Sequence, residues 1–455
     1  MGWLTDRRLL AAALIAWATI AALGVILGPP LGHDESAFAL IGRGVVQPET
    51  WLYRSEGTVV IAKLAALLGD AEWQLRIPSA VLSLGVPLAA YALGRAACSA
   101  RTGAWAAVIL AGAHPMVSRS AELLSDLPAC ALILGGMAVM TAELAAAERE
   151  GRGARLRLAW AAPLFAAAFY VRYGSAPVIA FAALAPLALW WRVALARPLA
   201  IVVFGAALAV LLAPHVAHSI SATGSPLGIL TRAAGTPRRA YVGEGLVTYF
   251  TSDPFEFYGA LAGPVAALGL VSLVRMRARA GWYLGLVALA QLVSLGLASH
   301  GQPRYVYVAT ALLAILGVDA LRRFGRFARL GASLAGAALA GAIVYMSFHM
   351  AGETRRRQPL LAATRAVAAD AAGRPCSIVA FYSTQVAFYS PCDGVAQPLL
   401  HSPLPAGRVA YAVRLPLWPL DPAQVAAVTH TRPVPLASGN AQADVWRLDP
   451  VSSPP

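Results

Sequence analysis

Eleven apolar stretches dominate the chain: 9–28, 79–95, 102–118, 127–146, 158–172, 177–192, 199–219, 258–274, 282–299, 304–320 and 331–350. Crossing a bilayer as a helix takes about 20 mostly apolar residues. The hydrocarbon core cannot satisfy backbone N–H and C=O groups, so segments of this kind are compelled to be helices. Composition agrees, with 58% hydrophobic and 13% charged residues against roughly 25% charged in soluble domains. Each stretch ends near Pro, Gly or Arg, the residues that punctuate helices. The first stretch runs into Gly28-Pro29-Pro30-Leu31-Gly32 rather than a small-residue cleavage site. It reads as a retained helix, not a removed signal.

The connections set an orientation. Arg7 and Arg8 precede the first stretch, and every second connection is short and arginine-rich: Arg95 and Arg101; Arg149, Arg152, Arg155 and Arg157; Arg192 and Arg197; Arg275, Arg277 and Arg279; Arg322, Arg323, Arg326 and Arg329. That alternation is the positive-inside pattern and predicts a cytoplasmic N-terminus. The net charge of +14 is thereby spent on topology, and nucleic acid is not an expected partner. Heavy Ala, Gly, Leu and Arg usage points to a GC-rich bacterial genome, and the expected location is a bacterial inner membrane. The other connections include two long outer loops, 29–78 and 220–257. The run 58–68 in the first is too short to span and suits a helix in the interface.

Residues 351–455 change character. A helix over 356–372 is expected, then strands at Ser377–Tyr382, Arg408–Val413 and Ala443–Leu448, where apolar and polar residues alternate. The predicted fold class is an α-helical polytopic membrane protein of about eleven transmembrane helices, residues 1–350, with a small C-terminal α/β domain outside, residues 351–455. An oxidising compartment would permit a Cys376–Cys392 disulfide; two free thiols are the alternative. Cys98 and Cys130 read as packing residues.

Three constellations on the outer side carry possible chemistry. His33-Asp34-Glu35 follows the first helix. Asp34 could act as a general base towards a hydroxyl, or hold a divalent cation such as Mg or Mn against phosphate. It could equally cap and solvate a helix end. Arg119-Ser120-Ala121-Glu122-Leu123-Leu124-Ser125-Asp126-Leu127-Pro128 forms an outer turn. There Ser125 or Asp126 serves as N-cap, Pro128 occupies the first turn, and Asp126 is a second candidate carboxylate and metal ligand. His300-Gly301-Gln302-Pro303-Arg304-Tyr305 places His300 and Arg304 four residues apart, within reach of one phosphate; an interfacial anchor is the plainer reading. Arg172 and Tyr173, His215 and His218, Arg54 and Arg76 sit at outer helix ends or in outer loops. Most such charges are ordinary interface residues. Arg76-Ile77-Pro78-Ser79 reads as a helix start. No nucleotide-binding glycine motif is present.

The ordered set resembles a known family. A first helix leads to an acidic pair; then come Arg76-x-Pro78-Ser79, Tyr91-Ala92-Leu93-Gly94-Arg95, His114-Pro115, the Asp126 turn and His300-x-x-x-Arg304-Tyr305. Together these resemble the GT-C glycosyltransferases, in particular bacterial members similar to protein O-mannosyltransferases and the lipid A aminoarabinose transferase. The resemblance implies transfer of a sugar from a polyprenyl monophosphate to a lipid, glycan or protein acceptor. It implies catalytic roles for Asp34, Glu35 and Asp126, and a donor-phosphate site at His300 and Arg304, with Tyr305 and Arg172 as further candidates. His33 stands where an apolar or small residue is expected. The rival readings are a transporter or flippase for a lipid-linked glycan, and a non-catalytic assembly protein. A transporter should show internal repeats and mid-membrane ionisable groups, which this sequence lacks.

Overall fold

The computed structural model describes residues 5–45, 54–235, 239–323, 328–381, 383–396, 404, 407–415 and 420–450. Among them, six helices are long and apolar enough to cross a membrane: Asp6–Leu27, Glu72–Ala97, Asp126–Arg149, Pro198–Thr223, Arg279–Ala298 and Pro303–Arg323. Four shorter apolar helices, Ala100–Ala111, Leu156–Val171, Tyr173–Leu189 and Ala262–Arg275, fill four more of the expected positions. The protein is a multi-pass membrane protein.

Small residues let the helices approach closely, as packing within lipid requires. A Cβ on Gly317 would lie 1.9 Å from the Val265 carbonyl oxygen, and one on Gly269 would lie 2.0 Å from that of Leu313. Only glycine fits at either crossing. One buried polar pair links two of the helices: Trp17 Nε1 donates to Ser83 Oγ at 2.9 Å.

Three sequence expectations are corrected. The helix expected over 102–118 stops at Ala111, and a separate short helix, His114–Val117, follows. Arg76-Ile77-Pro78-Ser79 is not a helix start, because the helix begins at Glu72. Its N-terminus is closed by Gln74, whose Oε1 accepts the Ala71 N–H at 3.0 Å, and Pro78 lies within the helix. The expected helices 331–350 and 356–372 are one helix, Ala328–Ala371, of 44 residues. The helix runs through Gly352 and carries Pro359 within it; across the polar stretch Glu353 pairs with Arg356 at 3.0 Å and Arg357 at 3.4 Å along one face. At 1.5 Å per residue this helix is about 66 Å long, more than twice the hydrocarbon thickness of about 30 Å. It is therefore one rod longer than the hydrocarbon core, with Pro359 inside it.

The rod leads into a mixed five-stranded sheet: β1 (Cys376–Ala380), β2 (Asp393–Ala396), β3 (Val409–Arg414), β4 (Thr431–Leu436) and β5 (Asp444–Pro450). The strand order is β2-β1-β3-β5-β4. Strand β1 runs parallel to both β2 and β3, while β5 runs antiparallel to β3 and β4. The edge strand β4 carries Pro433 and Pro435, which remove ladder donors and blunt the edge. Tyr382, expected in the first strand, lies outside the described residues. A helix, Ser383–Tyr389, connects β1 to β2, and Cys376 and Cys392 are joined by a disulfide across that connection.

Candidate active site

The long first loop, 29–78, contains helical structure. His33–Gly42 is a helix, so the acidic residues Asp34 and Glu35 occupy its first turn, where the helix dipole favours negative charge. Glu35 reaches back and accepts the Gly32 N–H at 2.8 Å. Its other partners are Arg76, at 3.0 Å and 3.3 Å, and the Leu123 N–H at 3.2 Å. Both side chains of the Glu35–Arg76 pair are 3% exposed, and Arg76 also donates to the Pro29 carbonyl at 2.7 Å. Burial alone would raise the Glu35 carboxyl, but the Arg76 guanidinium outweighs it and lowers it below the usual carboxylate range. Glu35 thus ties the helix start, the loop and the Asp126 turn into one unit.

Asp34 faces differently. Arg54 Nη2 donates to its Oδ1 at 2.8 Å, and Arg304 Nη1 donates to its Oδ2 at 3.0 Å. Its side chain keeps 25% exposure. Burial pushes its carboxyl up, but Arg54 and Arg304 together reverse that and hold it well below the usual range. Asp34 lines a cavity of about 480 Å³, shared with Arg119, Glu122, Arg304, Tyr307 and His349.

Arg304 is itself held from behind. Gln302 Oε1 accepts from Arg304 Nε at 2.6 Å, and Gln302 Nε2 lies 2.9 Å from His300 Nε2. With Gln302 donating there, the His300 proton is assigned to Nδ1, which is buried without a partner among the described residues. Tyr305 lies between two cations, with the Arg304 guanidinium 5.6 Å and that of Arg172 5.5 Å from its ring centre. Arg172 in turn lies 2.5 Å from Asp126 Oδ1. That oxygen has no aligned hydrogen bond, so the contact is a charge pair. Asp126 opens its helix after Ser125, with Pro128 in the first turn. The structure therefore joins Asp34, Arg304, Tyr305, Arg172 and Asp126 in one chain of contacts, with His300 attached through Gln302.

The arrangement does not make a metal site. Among the described residues no group of three or more His, Cys, Asp or Glu side chains could hold an ion. Asp34 is engaged by two guanidiniums and Asp126 by one. These residues do not fit a divalent cation as they stand.

Some partners were undervalued in the sequence. Arg54 and Arg76 read as ordinary loop charges, yet they hold the acidic pair. Arg54 is fixed by its neighbours: Ser55 Oγ and Thr58 Oγ1 both donate to the Val171 carbonyl at 2.6 Å, next to Arg172. Glu56 accepts from the Tyr173 hydroxyl and lies 3.3 Å from His215 Nδ1. The only sequence signal for this was the run Arg54-Ser55-Glu56 at a helix start.

Known proteins share the fold. Residues 57–218 match the dolichyl-phosphate-mannose-protein mannosyltransferase family. No curated protein matches the chain. Among solved structures, ArnT from Cupriavidus metallidurans bound to undecaprenyl phosphate is 16% identical, with a TM-score of 0.63 over 96% of this chain and 97% of that one. The apo form of the same protein gives 17% and 0.62 over the same shares. The archaeal oligosaccharyltransferase AglB from Archaeoglobus fulgidus, in complex with an inhibitory peptide and a dolichol-phosphate, is 14% identical, with a TM-score of 0.53 over 89% of this chain and 69% of that one. The chain has the GT-C fold of polytopic glycosyltransferases.

Proposed function

We propose that the protein is a membrane glycosyltransferase that moves a sugar from a polyprenyl monophosphate to a hydroxyl acceptor on the outer face of a bacterial inner membrane. The observation that carries this is Asp34 bridged by Arg54 and Arg304 at the wall of a cavity. Asp34 and Arg304 line that cavity together, a carboxylate beside a guanidinium able to take a phosphate, and Arg54 pairs with the same carboxylate. The likeness in fold to a protein bound to undecaprenyl phosphate supports the same reading.

The chemistry follows from charge. The acceptor oxygen attacks the anomeric carbon, the bond from that carbon to the phosphate oxygen breaks, and the electron pair leaves on the lipid phosphate. Arg304, with His300 Nδ1–H and Arg172 beside it, stabilises the charge that develops on the departing phosphate. The acceptor proton passes to Asp34. Paired with Arg54 and Arg304, Asp34 is a weak base. A bound phosphate competes for the same guanidiniums, and every hydrogen bond it takes from Asp34 raises the basicity of that carboxylate. Donor binding thus prepares the base. Asp126 orients Arg172, and Glu35 acts as a positioning residue through Arg76 and Gly32. The arginines beside the phosphate balance its charge.

Arg304→Gln should weaken undecaprenyl phosphate binding to the detergent-solubilised protein by ~30-fold or more, since losing one partner of a desolvated charge pair costs about 2 kcal/mol or more. Unchanged affinity would remove Arg304 from the phosphate site. The orientation has a separate check. A cysteine placed at Asn440 should react with an impermeant thiol reagent from the outer side, and labelling from the cytoplasmic side alone would reverse the assignment.

A further inference from the structure

Residues 29–32, which lead into the helix carrying Asp34, form no helix or strand. Pro29 and Pro30 carry no N–H, so the segment has few backbone donors of its own. Their polar groups are taken up by the C-terminal part of the chain. Gln385 Nε2 donates to the Leu31 carbonyl at 2.9 Å in a buried contact. The Leu31 N–H donates to the Tyr389 hydroxyl, so both backbone groups of Leu31 are bound by one helix, Ser383–Tyr389. Thr384 Oγ1 lies 2.8 Å from His33 Nδ1 and 3.1 Å from the His33 carbonyl oxygen. A hydroxyl has one proton: donating to the carbonyl, it accepts from Nδ1–H. Arg357, on the long rod, donates to the Pro30 carbonyl. Around these bonds Phe388 and Tyr389 pack on a cluster containing Leu31, Phe38 and Ile41, and the Arg43 guanidinium sits 4.2 Å from the Phe388 ring centre.

We propose that the C-terminal domain is a working part of the active site: its helix Ser383–Tyr389 clamps residues 29–33 and so sets the position of Asp34, with Thr384 and Gln385 as positioning residues. The disulfide Cys376–Cys392 closes the segment that carries this helix, fixing the clamp at both ends. The link to catalysis rests on the glycosyltransferase reading above; the clamp itself does not. Its leverage is geometric. Asp34 is one residue beyond the last clamped backbone group, and a misplacement of about 1 Å in a reacting group can cost ~100-fold in rate.

The test uses the full-length protein in detergent and in proteoliposomes, with Thr384→Val, Gln385→Leu and the conservative Thr384→Ser. Amide hydrogen exchange is followed in His33–Gly42 and, as an internal control, in Asp126–Arg149. In the Thr384→Val and Gln385→Leu proteins the first segment should exchange ~10-fold faster while the control holds. Transfer from a polyprenyl-phosphate sugar should lose ~10-fold in kcat with the donor KM unchanged, and Thr384→Ser should behave as wild type. Unchanged exchange in His33–Gly42 would overturn the clamp. Faster exchange with unchanged kcat would overturn its role in setting Asp34. If the wild-type protein uses no such donor, the reading of the site fails, and exchange alone decides the clamp.

Discussion

Asp34→Asn should reduce sugar transfer by ~10²–10⁴-fold, the usual contribution of a positioned general base. Asparagine has nearly the same shape and keeps an acceptor for Arg54, which sits 2.8 Å from Oδ1 in the wild type. It removes the charge and cannot take a proton. The same substitution releases Arg54 and Arg304 from their carboxylate partner, so undecaprenyl phosphate should bind at least as tightly as to wild type. The paired outcome matters, because a misfolded protein would lose both. Transfer is measured in proteoliposomes with an envelope lipid and glycan extract as acceptor, and phosphate-lipid binding is measured on the same preparation. A wild-type rate in the asparagine protein would remove Asp34 from the reaction.

Arg76→Met should destabilise the protein by ~3–5 kcal/mol, the cost of stranding one partner of a buried ion pair. Both partners are 3% exposed, so water cannot replace the lost guanidinium. Glu35 would keep the N–H groups of Gly32 and Leu123, which carry no full charge. Glu35→Gln should be damaging for the mirror-image reason, leaving Arg76 charged and unpaired. The double substitution should cost less than the sum of the singles, because neither charge is then stranded. Thermal unfolding of the four proteins in one detergent measures this. Strict additivity would mean that Glu35 and Arg76 do not act as a pair. The effect also has a pH signature. The Glu35 carboxyl is lowered on folding, so its stabilisation is present above the usual carboxylate range and is lost as pH falls through the folded value.

The membrane part was legible because spanning helices are dictated by length and apolarity alone. Asp126–Arg149 and Arg279–Ala298 lie close to the stretches read from sequence. What local sequence could not show is continuity across a polar stretch: residues 351–355 read as a break, and they belong to one long helix in which Glu353 pairs with Arg356 and Arg357. Asp34, Asp126, Arg304 and Arg172 were each visible as polar residues in connections expected to share one side of the membrane. Their pairing was not, since Asp34 and Arg304 are separated by 270 positions and no local pattern encodes such a contact. Arg54 and Arg76 looked like the interface charges around them, and only their partners distinguish them. Thr384 and Gln385 gave no signal, because a threonine in a short helix is common and its role lies in the loop it meets.

The central claim is that a polyprenyl monophosphate carries the sugar and that Asp34 takes part in its transfer. It is tested most directly by incubating wild-type and Asp34→Asn proteoliposomes with a polyprenyl-phosphate sugar and the envelope extract, and measuring the lipid product by mass spectrometry. The account predicts free polyprenyl monophosphate from the wild type and ~10²–10⁴-fold less from Asp34→Asn. An intact donor with the wild-type protein, or equal release from the two proteins, would contradict it.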